Sequence, residues 1–194
     1  AALPGRDFDL IPAFAAKLPV IIIARLLGVP EDRAPDLLAW SNAMVGMYQA
    51  RRTRETEDRA AAAAGAFAAF LRGYVEERRA KPADDLITHL IAAEAGGETL
   101  STDELIATCV LLLNAGHEAT VHTIGNGVKA LLQSAAPREA LAPGRVEATV
   151  EEILRFDPAL HLFTRWAYED IEVGRHTFRR GDRVLAGHVG AARD

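Results

Sequence analysis

Residues 101–120 read Ser101-Thr102-Asp103-Glu104-Leu105-Ile106-Ala107-Thr108-Cys109-Val110, then Leu111-Leu112-Leu113-Asn114-Ala115-Gly116-His117-Glu118-Ala119-Thr120. The first four form a capping box: a Ser at the N-cap and a Glu three positions on, whose carboxylate can reach back to the Ser backbone N–H. The helix it starts is predicted to run to about Gln133, roughly 48 Å at 1.5 Å per residue. A helix that long crosses a whole domain. Val110 to Leu113 is apolar on every side, so the middle of this helix is expected to be buried all round.

Within that middle, residues 114–120 place a Gly, an acid and a hydroxyl inside an apolar run. Gly in a helix costs about 1 kcal/mol relative to Ala. A Glu is rarely buried without a partner. Breaks of local rules tend to mark functional sites. The plain alternative is a small-residue crossing point with a salt-bridged Glu, and periodicity alone does not choose between the two. His117 and Glu118 also suggest a zinc-protease helix. That pattern needs a second His four positions after the first. Position 121 is Val, and His122 lies about 140° around the helix from His117, so one ion does not easily take both.

Upstream the chain reads as helices. Val20 to Leu27 is an apolar segment that ends at Gly28 and Pro30, both helix terminators. Glu31 to Gln49 carries Leu37, Leu38, Met44 and Met47 near helical spacing. Residues 51–59 mix four Arg with three acids and read as a loop or a solvated helix start. A long Ala-rich helix is expected over 57–80, with Pro82 stopping it. A short helix at about 84–94 is broken by Gly96-Gly97.

Downstream, residues 146–156 predict another helix. After Asp157-Pro158 the texture changes. Thr164 to Tyr168, Ile171 to Val173, His176 to Phe178 and Arg183 to His188 read as short strands, with Gly174 and Gly181-Asp182 supplying turns. The expected class is mainly α with a small β region. No linker separates two domains, so one partial domain over 1–194 is expected, helical over about 7–157 and β-rich over 158–194.

Composition narrows the function. Of 194 residues, 49% are hydrophobic and 25% charged, which excludes wholesale disorder. Thirty-seven are Ala, which favours helix. The net charge of −5 supplies no global basic field for nucleic acid. No apolar run reaches the roughly 18 residues needed to span a bilayer, and no signal-peptide pattern opens the chain. A single Cys excludes an internal disulfide and any multi-thiolate site. A reducing, cytoplasmic setting fits. Both ends look cut: the chain opens on Ala1 and closes on Asp194 directly after a strand-like run.

Two further features carry chemistry. Glu152-Ile153-Leu154-Arg155 puts an acid and a base three apart, where they meet on a helix surface. Arg165 lies between Phe163 and Trp166 in a strand-like run. An Arg among apolar residues needs an anion, whether a carboxylate of the protein or a group of a ligand.

The order and spacing of these features resemble the cytochrome P-450 family of haem-thiolate monooxygenases, in its soluble bacterial style. The weaker matches are Leu18-Pro19-Val20, Leu26-Leu27-Gly28-Val29-Pro30-Glu31-Asp32 and Asp84-Asp85-Leu86. The strongest is the capping box leading into Leu111 to Glu118, which resembles the family's long central helix across the distal face of the haem. Glu152 to Arg155 is similar to the family's Glu-x-x-Arg. Gly181 to Val184 and Ala192-Arg193-Asp194 match the strand region that follows.

The resemblance implies a P-450-like fold, incomplete at both ends, and haem as cofactor. It implies insertion of one oxygen atom into a small organic substrate. Electrons would come from NAD(P)H through a ferredoxin or flavin partner, with neither nucleic acid nor membrane involved. By resemblance Ala115 and Gly116, followed by Ala119, lie over the haem, and Glu118 and Thr120 are the catalytic candidates, Glu118 as the acid of the proton-delivery route. Arg165 pairs with a haem propionate. Asn114, Leu160, His161 and Leu162 line the substrate pocket. Glu152 and Arg155 are structural.

Two departures stand out. The family usually has Thr directly after the acid; here that position is Ala119, and Thr120 comes one step, about 100°, later. The family's thiolate Cys has no counterpart: the one Cys, Cys109, sits in the apolar half of the long helix and reads as core. These 194 residues alone are expected to be inactive and to hold no iron ligand. The alternative reading is a haem-free, P-450-like structural or activator partner protein.

Overall fold

The computed structural model describes residues 7–49, 51–95, 100–135 and 137–187. They form two compact units, the first ending at Val121 and the second beginning at His122. Helices α1 (Leu18–Leu27), α2 (Ala34–Val45), α3 (Arg54–Ala80) and α4 (Leu86–Ala95) precede the long α5 (Thr102–Gln133), which passes from the first unit into the second. A short α6 (Pro137–Ala140) and α7 (Val146–Phe156) follow, then strands β1 (Leu162–Trp166), β2 (Ile171–Val173), β3 (His176–Phe178) and β4 (Arg183–Gly187). The mainly α class with a small β region is what the sequence predicts.

The first unit is built on one apolar cluster. Leu27, Leu37, Phe67, Leu71, Val75, Ile87, Leu105 and Leu113 are fully buried within it. The α5 capping box forms: the Glu104 N–H donates to Ser101 Oγ at 3.3 Å, and the Ser101 N–H donates to Glu104 Oε2 at 2.8 Å. On the outer flank of the cluster, Trp40 stacks on Phe67 at 5.3 Å between ring centres.

A second anchor is polar. Gly28 ends α1 at φ +75°, and a Cβ there would clash with the Asp85 carboxylate. Only glycine serves, both for the left-handed turn and for the space. The Arg78 guanidinium bonds to Asp85 and, through Nη2, to the Gly28 carbonyl at 3.0 Å and to the Tyr74 hydroxyl at 2.7 Å. Tyr74 donates to the same carbonyl. The other Asp85 oxygen accepts the Thr88 N–H at 2.8 Å, capping α4. This set joins α1, α3 and α4 at one point.

The second unit holds the strands. β1 pairs antiparallel with β4, with Arg165 opposite Val184. β2 and β3 form a hairpin whose two-residue loop begins at Gly174, φ +62°. In α7, Ile153 packs on Gly127 of α5, where an added Cβ would stand 2.9 Å from two Ile153 carbons.

Several expectations are corrected. The middle of α5 is not buried all round: Leu111 is 64% exposed. Its run of leucines masked an ordinary two-faced helix. α3 begins at Arg54 rather than 57, because Thr53 accepts the Thr56 N–H and caps it. The 31–49 segment is a helix over 34–45 with a tighter turn at each end. β1 begins at Leu162, two residues earlier than expected, and stops at Trp166. The four-residue α6 gave no periodic signal. Gly96-Gly97, His188 and Ala192-Arg193-Asp194 lie outside the described residues.

Burial pushes the Asp85 pKa up, but the hydrogen bonds from Arg78 and Thr88 outweigh it and hold the carboxyl below its ordinary value. A depressed carboxyl stabilises the fold above its unfolded pKa, and that contribution is lost as pH falls through the folded value. Asp85→Asn leaves the half-buried Arg78 with only the exposed Glu77, 3.1 Å away, as its counter-charge. A loss of about 1–3 kcal/mol is expected, read as a lower urea midpoint at pH 7. The gap between variant and wild type should shrink below about pH 4. An unchanged midpoint at pH 7 would contradict this.

Candidate functional site

In the first unit the candidate residues lie on α5, and their placement follows from a helix that turns about 100° per residue. Leu105, Ile106, Cys109, Leu113 and His117 form the buried stripe. Ala107, Leu111, Ala115 and Glu118 fall on the opposite side and are exposed. Ala119, half-buried, borders the same side. The open face therefore presents methyl groups at 115 and 119 beside the Leu111 side chain and the Glu118 carboxylate. Thr120 is exposed, but about 140° around the helix from Ala115.

Gly116 does not share that face. A Cβ there would meet Ile23 Cδ1 at 3.1 Å, so its missing side chain serves the approach of α1. The plain crossing-point reading accounts for this glycine. Glu118 is exposed, contrary to the expectation of a buried acid, and needs no burial penalty repaid. Asn114 is half-buried and turned toward α2, where its Nδ2 donates to Met44 Sδ at 3.7 Å. Its buried Oδ1 has no hydrogen-bond partner among the described residues.

His117 is a core residue. It is 2% exposed, and its Nδ1 lies 3.0 Å from the Oγ of the fully buried Ser41 on α2. Among the described residues no three His, Cys, Asp or Glu side chains gather as a metal site, and nothing here favours the zinc reading. Sequence reasoning missed Ser41. Its signal was available: Leu37, Ser41 and Met44 share the inward stripe of α2, and Ser41 is the polar member.

In the second unit Glu152 and Arg155 meet as a two-pronged pair, with Nε to Oε2 and Nη2 to Oε1 both at 2.7 Å. The hydrogen bonds from Arg155 hold Glu152 below the ordinary carboxylate range, and Glu152 raises Arg155. Both are exposed. Glu152 also borders an open apolar groove of about 680 Å³ between the end of α5, α6 and α7. Leu160, His161 and Leu162 do not line it; they sit at the entry to β1, all exposed. Arg165, on β1, donates to its neighbour's carbonyl at 3.0 Å and lies 5.2 Å over the Phe163 ring. Among the described residues no carboxylate pairs with it.

No family model matches the chain. Curated relatives and solved structures do. The vitamin D(3) 25-hydroxylase of Pseudonocardia autotrophica is 39% identical over all of this chain and 48% of its own length. The polyketide biosynthesis cytochrome P-450 PksS of Bacillus subtilis is 36% identical over 96% of this chain and 45% of its own. The ligand-free structure of Mycobacterium smegmatis CYP164A2 superposes with a TM-score of 0.83 at 38% identity, over all of this chain and 51% of that one. The chain belongs to the cytochrome P-450 family. It spans about half the length of the curated relatives it matches.

Taken unit by unit, the side chains are compatible with a haem: in the first unit Ala115 and Ala119 stop at methyl groups beside the exposed Leu111 and Glu118 of α5, and in the second Arg165 has no carboxylate partner among the described residues. The thiolate is another matter. Cys109 is the one Cys of the 194 and is fully buried; burial pushes its thiol up to about 11. A neutral thiol inside an apolar stripe is neither a nucleophile nor a metal ligand. At pH 8 an aromatic disulfide reagent should label the folded chain only at the rate of opening, and rapidly after denaturant is added. Prompt one-to-one labelling of the native chain would contradict the burial.

Proposed function

We propose that these residues form the distal part of a haem-dependent monooxygenase that acts on a small organic substrate. The observation that carries this reading is the open face of α5, with two Ala methyls and the Glu118 carboxylate on one side of a helix anchored by the other. Family membership supports the haem-dependent class. Bound haem supplies dioxygen activation and transfer of one oxygen atom, with electrons from NAD(P)H through a ferredoxin or flavin partner in the cytoplasm. No described helix is long and apolar enough to cross a membrane.

The chain's own residues then have separate tasks. Ala115 and Ala119 leave room above the ring. Glu118 holds and passes a proton at its carboxylate, and its exposure lets it exchange with water. Ala119 offers no hydroxyl beside the acid, so water, a substrate hydroxyl or Thr120 completes the proton path. Arg165 donates charge-assisted hydrogen bonds to a propionate. Asn114, Leu160, His161 and Leu162 contact substrate. Glu152 and Arg155 stiffen α7. We read residues 1–194 as one partial domain, a reading supported by relatives that match the chain from end to end.

The experiment is a carbon monoxide difference spectrum of the reduced protein after haem supplementation. A Soret band of thiolate type is the expected result for the protein that carries these residues with its Cys ligand. Absence of any haem band would contradict the haem reading and leave a haem-free partner protein.

A further inference from the structure

We propose that Ser41 and His117 are positioning residues, whose hydrogen bond sets the rotation of α5 about its own axis and so the aim of Glu118. The proposal rests on the reading of Glu118 as the proton carrier. Among the described residues three polar side chains are buried: Ser41, Asp85 and His117. Asp85 is accounted for by Arg78. Ser41 and His117 bond to each other at 3.0 Å across 76 positions of sequence.

One turn along, Asn114 donates to Met44. Residues 41 and 44 of α2 thus meet 117 and 114 of α5 in antiparallel sense, two polar contacts one helical turn apart. Apolar side chains on a helix face tolerate small rotations, because dispersion attraction given up on one flank is regained on the other. A hydrogen bond between buried groups does not tolerate them: it weakens steeply with angle, and breaking it strands both partners. Fixing register is the best-attested use of a buried polar contact in a core.

Glu118 directly follows His117, so the two are rigidly linked. Side chains stand about 5–6 Å from the helix axis, so a 20° turn displaces them by about 2 Å. An error of 1 Å in a catalytic geometry can cost about a hundredfold in rate. The Ser41–His117 bond therefore acts on the site through Glu118 without touching it.

The test uses the full-length protein that carries these residues with its Cys ligand, loaded with haem, and cyanide as the probe. Cyanide arrives largely as HCN and gives up its proton on binding ferric iron, so its association rate senses the nearby proton acceptor. Wild type is compared with Ser41→Ala, Ser41→Thr, His117→Phe and Glu118→Gln, with thermal midpoints measured in parallel. Ser41→Ala and His117→Phe are expected to change the association rate several-fold, in the direction of Glu118→Gln. Ser41→Thr, which keeps the hydroxyl, is expected to stay near wild type. A Ser41→Ala protein with a lower midpoint but the wild-type rate would make the pair merely structural and overturn the proposal. Should Ser41→Ala fail to fold, His117→Phe, of similar volume and apolar, decides in the same way. If Glu118→Gln itself leaves the rate unchanged, the reading of Glu118 falls and the proposal with it. A changed rate in Glu118→Gln beside wild-type rates in the other variants sinks the positioning role alone.

Discussion

The burial of one stripe of α5 is the constraint on which the rest depends. Leu105, Ile106, Cys109, Leu113 and His117 tie that stripe into the first unit. Because the helix steps about 100° per residue, fixing those five fixes where Ala115, Glu118 and Ala119 point. The open face is thus specified by residues that never reach it. Loss of Leu113 or Leu105 to Ala would remove about 2–5 kcal/mol of packing and would also release that aim.

Two polar devices sharpen what apolar packing leaves loose. Arg78, Asp85, Tyr74 and the Gly28 carbonyl join three helices at one point, and Gly28 is the residue that leaves space for the carboxylate. Ser41 and His117 join α2 to α5. Buried polar groups are poor sources of net stability, since each must first be stripped of water. Their angular demand is what an apolar core lacks. Both devices fall in the unit that carries the face with Glu118.

Much of this was legible beforehand because it is local. The Ser101 to Glu104 box, the Gly28 stop and the hairpin around Gly174 depend on neighbours in sequence, and α5, α7, β2 and β3 fall where the pattern puts them. What was not legible depends on contacts distant in sequence. Leu111 reads as core because a run of Leu hides which one faces in. Gly116 reads as a site glycine, yet its space is taken up by Ile23, 93 positions away. His117 invites a metal reading until Ser41 is seen beside it. The start of α3 was missed for a simpler reason: a Thr cap preceded by Arg51 and Arg52 looks like a loop until the Thr56 N–H is seen to be satisfied. The Glu152–Arg155 pair was fully local and formed as spaced, whereas Leu160, His161 and Leu162 carry no local mark of what they face.

The claim at the centre is that the open face of α5, at Ala115, is the surface a haem ligand approaches. The direct measurement is carbon monoxide affinity of the reduced, haem-loaded protein for Ala115→Phe, with Ala107→Phe, two turns away on an exposed part of α5, as the control. A benzyl side chain at 115 should abolish binding or weaken it by orders of magnitude while Ala107→Phe stays near wild type. Equal carbon monoxide affinity in Ala115→Phe and wild type would contradict the account.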